Sequence, residues 1–344
     1  MIYDLQGLNP FCSIVLIGMG KTGKYFKDIV RPESEREMKE TFGSCELTDA
    51  FSLLFQMGCK DVCVMNIGQQ HDYLDIAEML RDYAFAFVVP LGIHASDAFY
   101  DPTHDGRKTP YAQYLLSRSY GRNDSYLIMT DKHASLYQDI DAFLDEMETK
   151  RERLKRCNVG VSDHGNLIFV VNNIEGIDYA SVCLAGIMAS TPVEEYPRFT
   201  VQPARKAIFH IDTCDVHSDM VYFKSHIDGS LTVENFLNLR DEKTPLKIEF
   251  LHRIQKYMLM DMDFSEHVGH LYSAYRLKAV EHQAMEYLES YMGWLLQSYE
   301  LNHAYAVENP KFLGTVDIHI SAKVKPIDCT EQFEVEKIIG NKKR

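Results

Sequence analysis

The strongest constraint on this chain is a pattern that repeats through its first ninety residues. A short apolar run ends in glycine or proline, and a polar stretch with helical spacing follows. Residues 13–17 (SIVLI) are such a run, the mark of a strand buried on both faces. Pro32 then opens a helix with Glu33 and Glu35 in its first turn, and Gly43 ends it. Thr48 and Asp49 lead a second helix over 50–57, which Gly58 stops. Residues 62–67 are the next strand. Asp72 or Asp75 caps a helix running to Tyr83, and 84–89 is another buried strand ended by Pro90. Alternating strands and helices predict a sheet covered on both faces.

The pattern changes after Pro90. Residues 94–107 are polar and rich in Asp, Pro and Gly, and read as a loop. A helix over 111–120, a strand over 125–130 and a long charged helix over 135–156 follow. Leu136, Ile140, Phe143, Leu144, Met147 and Leu154 form the apolar positions of that long helix. Residues 167–171 read as a strand and 179–189 as a small-residue helix. Alternating residues over 206–233 predict half-exposed strands. Helices are expected over 248–262 and 277–299, the latter with Val280, Ala284, Leu288, Tyr291, Leu295 and Tyr299 on one face. From Val316 to Val324 apolar and polar residues alternate strictly. A last strand over 333–339 follows Pro326, and the chain ends in the basic run NKKR. The fold class is therefore mixed α/β, a central mixed sheet flanked by helices.

Composition excludes several functions. The 344 residues carry a net charge of −14, which disfavours a chain that coats nucleic acid. No apolar run is long enough to span a bilayer. The N-terminus lacks the basic region and small-residue cleavage site of a signal peptide. The eight cysteines, at 12, 45, 59, 63, 157, 183, 214 and 329, are too dilute for a disulfide scaffold. Synthesis in a reducing cytoplasm is expected.

Chemical motifs are weak. Residues 18–23 (GMGKTG) match a dinucleotide fingerprint. However, Pro32 breaks the chain before a helix can form, and no second strand lies at the right offset. The same stretch nearly fits a phosphate-binding loop, but Tyr25 stands where Ser or Thr would hold magnesium. A structural glycine turn is the better reading. His210, Asp212 and Cys214, with His217 close behind, could ligate zinc, but no C-x-x-C pair or H-x-x-x-H helix completes a site. His267 and His270 read as surface residues. Cys59 and Cys63 share a strand face and cannot bridge there without distortion. No nucleophile elbow or Cys/His pair appears. No enzyme activity, cofactor or metal is expected.

The order of segments carries more information than any one motif. Phe42-Gly43, Glu46-Leu47, Asp49-Ala50-Phe51 and Gly58 follow the glycine turn. Val88-Val89-Pro90 closes a strand, and Leu184-Ala185-Gly186 with Ala189 marks the small-residue helix. Ile318, Ile320, Val324, Pro326, Glu331, Phe333 and Val335 close the chain. This order resembles the tail sheath proteins of contractile phage tails and related contractile injection systems, from about residue 11 to residue 339.

The resemblance implies a structural role. Such subunits form hexameric rings stacked helically around an inner tail tube. Their contraction drives the tube through a target envelope. It implies self-association, contacts with the tube, baseplate and tail-terminator proteins, and a place in a virion tail or tail-like particle assembled in the host cytoplasm. It also implies terminal arms that add strands to neighbouring subunits. The expected layout is an arm over 1–10, a core over 11–325 with 95–165 as a semi-separate subregion, and a C-terminal arm over 326–344. Phe333, Val335, Ile338 and Ile339 are the expected contacts of the C-terminal arm, and Ile2 and Leu5 those of a short N-terminal arm. By physics alone, strand 333–339 serves equally well as the last strand of the subunit's own sheet. The family usually carries more chain before the first core strand, so a cap or collar protein at a tail end is an alternative role. A nucleotide-binding α/β enzyme using residues 18–24 is the alternative of a different class.

Overall fold

The computed structural model describes residues 12–68, 73, 75, 80, 85–100, 108–118, 125–156, 167–176, 178–191, 200–201, 206–211, 220–227, 230–234, 254–255, 257–259, 261–267, 274–308, 316–327 and 332–339. The chain divides into two compact units, residues 1–192 with 197–249 and residues 193–196 with 250–344.

In the first unit, β1 (Ile14–Met19), β2 (Ile29–Val30), α1 (Glu35–Phe42), α2 (Glu46–Gln56) and β3 (Val62–Ile67) come first. β4 (Phe87–Pro90), β5 (Ala98–Tyr100), β6 (Lys108–Pro110), α3 (Tyr111–Arg118), β7 (Tyr126–Thr130) and α4 (Ile140–Arg156) follow. β8 (Leu167–Val170), α5 (Tyr179–Ser190), β9 (Thr200–Val201), β10 (Tyr222–Ser225) and β11 (Leu231–Glu234) complete it. The main sheet has the order β2-β3-β1-β4-β7-β8. Its last five strands are parallel and β2 is antiparallel to β3, so the sheet is mixed. Counted by appearance, the parallel strands run 2-1-3-4-5, a doubly wound arrangement.

Both faces are dry. Ile14 and Leu16 of β1 join one apolar cluster with Met38, Phe42, Phe51 and Leu54 of α1 and α2 and with α5. Val15 and Ile17 join the opposite cluster with Phe143, Leu144 and Met147 of α4. That two-sided burial is why the strands read as unbroken apolar runs. In α5, the small Gly186 lets Met57 and Leu54 approach closely: an added Cβ would meet the Met57 side chain at 2.7 Å.

Local signals explain the helix ends. The side chain of Ser34 caps α1 by accepting from the Glu37 N–H at 3.2 Å, and Glu37 accepts from the Glu33 N–H at 2.8 Å. Thus the helix starts at Glu35, three residues later than Pro32 suggested. Gly43 ends it at φ 76°.

In the second unit, α6 (Ala274–Ser290) is followed by an antiparallel meander of β12 (Leu296–Glu308), β13 (Val316–Pro326) and β14 (Phe333–Ile339). Val280, Ala284 and Leu288 pack against Ile320, Ala322, Val324 and Val335.

Three expectations are corrected. The stretch 94–107 is not wholly loop, because β5 pairs antiparallel with β6. The helix over 277–299 ends at Ser290: Gly293 reverses the chain at φ 86°, and Leu296 onward is strand. Tyr291 and Leu295 are still buried, so the apolar spacing was real but spans a turn. His267 is buried, with Nε2 2.9 Å from Oε1 of Gln283, rather than lying on the surface. His270 lies outside the described residues.

Candidate functional site

The glycine turn after β1 is where a phosphate would be cradled. There, Asn66 at the end of β3 takes its place. The Gly20 N–H donates to Oδ1 of Asn66 at 2.7 Å. Nδ2 of Asn66 donates to the carbonyls of Thr22 and Lys24 at 2.9 and 3.0 Å. A Cβ on Gly20 would stand 3.0 Å from that amide oxygen, a close approach that any larger residue could meet only by shifting the Asn66 amide. The turn is therefore folded around a protein side chain, and the amide that would face a nucleotide is already bonded.

Doubly wound sheets bind ligands at the crevice where strand order reverses, here between β1 and β4. Tyr73 fills that point. Its hydroxyl oxygen lies 2.8 Å from the Ile17 carbonyl and 2.7 Å from the Leu91 carbonyl, and accepts from the Leu91 N–H at 3.1 Å. Full burial raises its pKa well above the ordinary tyrosine value.

Asp178 lies at the same end of the sheet. It precedes α5 in the left-handed conformation, φ 58°, and its side chain does not cap that helix. Instead Oδ2 accepts from the Gly92 N–H at 2.6 Å and Oδ1 accepts from the Thr130 hydroxyl at 2.8 Å. Burial raises the Asp178 pKa from its ordinary value, against the pull of those two bonds. Glu46 is raised too, by burial first and by Asp178 second. His94 is raised by its hydrogen bond to Asp97, with Nδ1 3.2 Å from Oδ2. Asn66, Tyr73 and Asp178 were not singled out from sequence. Each acts on backbone groups far along the chain, and none sits in a recognisable motif.

The expected arm residues fall in β14, an edge strand of the second unit's sheet. Its partners in register are Val324 for Phe333, Ala322 for Val335, His319 for Ile338 and Ile318 for Ile339. Val335 is buried in the unit's own core, while Ile338 is 63% exposed. Within this chain the strand completes its own sheet, the other reading that its sequence left open. Glu334 holds it through Ser321 Oγ at 2.5 Å and Asn302 Nδ2 at 3.1 Å. Ile2 and Leu5 lie outside the described residues.

Of the zinc candidates, Nδ1 of His210 lies 2.6 Å from the Ser225 hydroxyl, and Asp212, Cys214 and His217 lie outside the described residues. Among the described residues, no three His, Cys, Asp or Glu side chains gather as a metal group. Cys59 and Cys63 are buried, and burial pushes both thiols up to about 12. They are packing residues rather than nucleophiles. No helix among the described residues is long and apolar enough to cross a membrane.

The sequence matches no protein-family model and no curated protein. Solved structures do match, across nearly the whole chain. The sheath tail protein of Desulfitobacterium hafniense is 10% identical with a TM-score of 0.59, covering 95% of this chain and 96% of that one. The fold is that of the sheath tail proteins. The sheath tail protein of Listeria innocua is 11% identical at a TM-score of 0.56, covering 95% and 94% of the two chains. A chain of the anti-feeding prophage baseplate in its contracted state is 12% identical at 0.54, covering 88% and 86%. At such identities the sheath fold is shared while the side chains have diverged.

Proposed function

We propose that this chain is a structural subunit of a contractile tail sheath, polymerising around an inner tube and contracting to drive it through a target envelope. The observation that carries this reading is the sheath fold spanning 95% of the chain. The side chains that close the glycine turn and the β1–β4 crevice support it against the nucleotide-binding alternative. Its partners are further copies of itself, stacked as hexameric rings, with the inner tube, baseplate and tail-terminator proteins. It works in a virion tail or tail-like particle assembled in the host cytoplasm. Likeness to a baseplate chain supports a second role, as a sheath-related cap or collar at a tail end.

The terminal segments tie neighbours in this reading. β14 is an edge strand, and edges add strands readily. Phe333, Val335, Ile338 and Ile339 serve the C-terminal tie, and Ile2 and Leu5 a shorter N-terminal one. Sedimentation velocity over rising concentration tests the reading. The full chain is expected to pass from small species to very large ones, and deletion of 331–344 to leave a folded protein that does not. A full chain that stays monomeric throughout would contradict it, and a deletion that assembles normally would remove the arm.

A further inference from the structure

Two exposed patches of the first unit present charged side chains to solvent. The first is the turn between β1 and β2. Tyr25 and Lys27 take left-handed conformations, φ 50° and 59°, each costing a non-glycine residue about 1 kcal/mol or more. Phe26 between them is 46% exposed. Lys21 and Lys24 are exposed nearby, and Lys27, paired with Asp75 at 2.6 Å, lies 5.1 Å from the Phe26 ring centre. Residues 20–27 hold three lysines and no acid, in a chain of net charge −14.

The second patch is the outer face of α4 at its start. Burial of Phe143, Leu144 and Met147 turns Asp141 and Asp145 outward, one helical turn apart and both exposed. Leu136, just before the helix, is 68% exposed. Residues 133–149 hold five acids and no lysine or arginine. Asp139 is used just before the helix, accepting from the first-turn Ala142 N–H at 2.8 Å, and Glu146 pairs with Lys132 at 2.9 Å.

Placement relates the two patches. Both lie at the carboxyl end of the parallel strands, because one follows β1 and the other follows β7. The basic turn sits beside β2 and β3, where Phe26 bridges to Asn66. α4 belongs to the β7–β8 side. From β2 to β8 is five strand spacings, about 24 Å. Patches of opposite sign on opposite sides of one sheet do not meet within a molecule. They suit copies set side by side, head to tail, the contact geometry of rings and helices.

We propose that the 21–26 turn of one copy docks on the α4 face of the next, Lys21 and Lys24 opposite Asp141 and Asp145 and Phe26 opposite Leu136. This rests on the sheath reading only in requiring self-assembly. Exposed ion pairs contribute little singly and are screened by salt, so the contact weakens as ionic strength rises and gains by repetition through an array.

Charge reversal in the full chain tests it, read by sedimentation velocity and electron microscopy at low salt. K21E/K24E and D141K/D145K should each raise the concentration needed for assembly at least tenfold. The fourfold variant K21E/K24E/D141K/D145K should return it to the wild-type value. Thermal melts identify folded variants, and Phe26→Ser gives a second route if a charge variant unfolds. Double variants that assemble like wild type, with Phe26→Ser also unaffected, would overturn the contact and leave the sheath reading standing. A folded fourfold variant that stays dispersed would overturn the charge pairing. A wild type that never assembles would overturn both readings, and one that binds only some other acidic protein through this turn would overturn the choice of partner.

Discussion

The Lys337 ammonium donates to the Leu259 carbonyl at 2.5 Å and also to the Met262 carbonyl. These carbonyls lie at and just beyond the helical residues 257–259 and 261, where a helix leaves acceptors without intrahelical donors. The charge thus fastens β14 to a helix end 78 residues earlier in the chain. Burial lowers the Lys337 pKa, while Asp263 and Asp261 oppose that shift.

Lys337→Met keeps the stem and removes the donors. We expect a loss of about 1–3 kcal/mol in urea unfolding, with faster amide exchange across residues 333–339. Unchanged exchange there would show that pairing with β13 alone holds the strand.

Asn66→Ala removes three hydrogen bonds from the glycine turn and should cost about 2–3 kcal/mol. Gly20→Val should destabilise for the same reason, by displacing the Asn66 amide. Calorimetry of the wild type with ATP, GTP and NAD(H) should show no saturable heat. Micromolar binding lost in Gly20→Val would reinstate a nucleotide site.

Asp178 gives a pH prediction with a definite sign. Its folded pKa is raised above the unfolded value of about 3.9, so between the two the folded state holds more protons. Its relative contribution is greatest below the unfolded value and is lost as pH rises through the folded one. Asp178→Asn keeps an acceptor for the Gly92 N–H and should flatten that part of the pH–stability curve. Asp178→Ala leaves that N–H unpaired and should cost about 1–3 kcal/mol. Equal losses in the two variants would refute the role given to the acceptor.

Much of the architecture was legible because the sheet is covered on both faces. The runs 62–67 and 333–339 were bounded from sequence alone: the first is an apolar strand run, and the second is set off by Pro326 before it and the basic tail after it. β12 was missed because Tyr291 and Leu295 continue the apolar spacing of α6 past the reversal at Gly293. Asn66, Tyr73 and Asp178 were illegible for a different reason. Their partners are 18 to 86 residues away, and a lone polar residue in sequence does not reveal which backbone amide or carbonyl it will meet.

The central claim is that copies of this chain build a sheath-like array. Electron microscopy of the purified full-length protein, at high concentration and low salt, measures this directly. The account predicts rings or tubes with a repeating subunit and a hollow centre. Dispersed single particles under every assembly condition, with the protein shown to be folded, would contradict it.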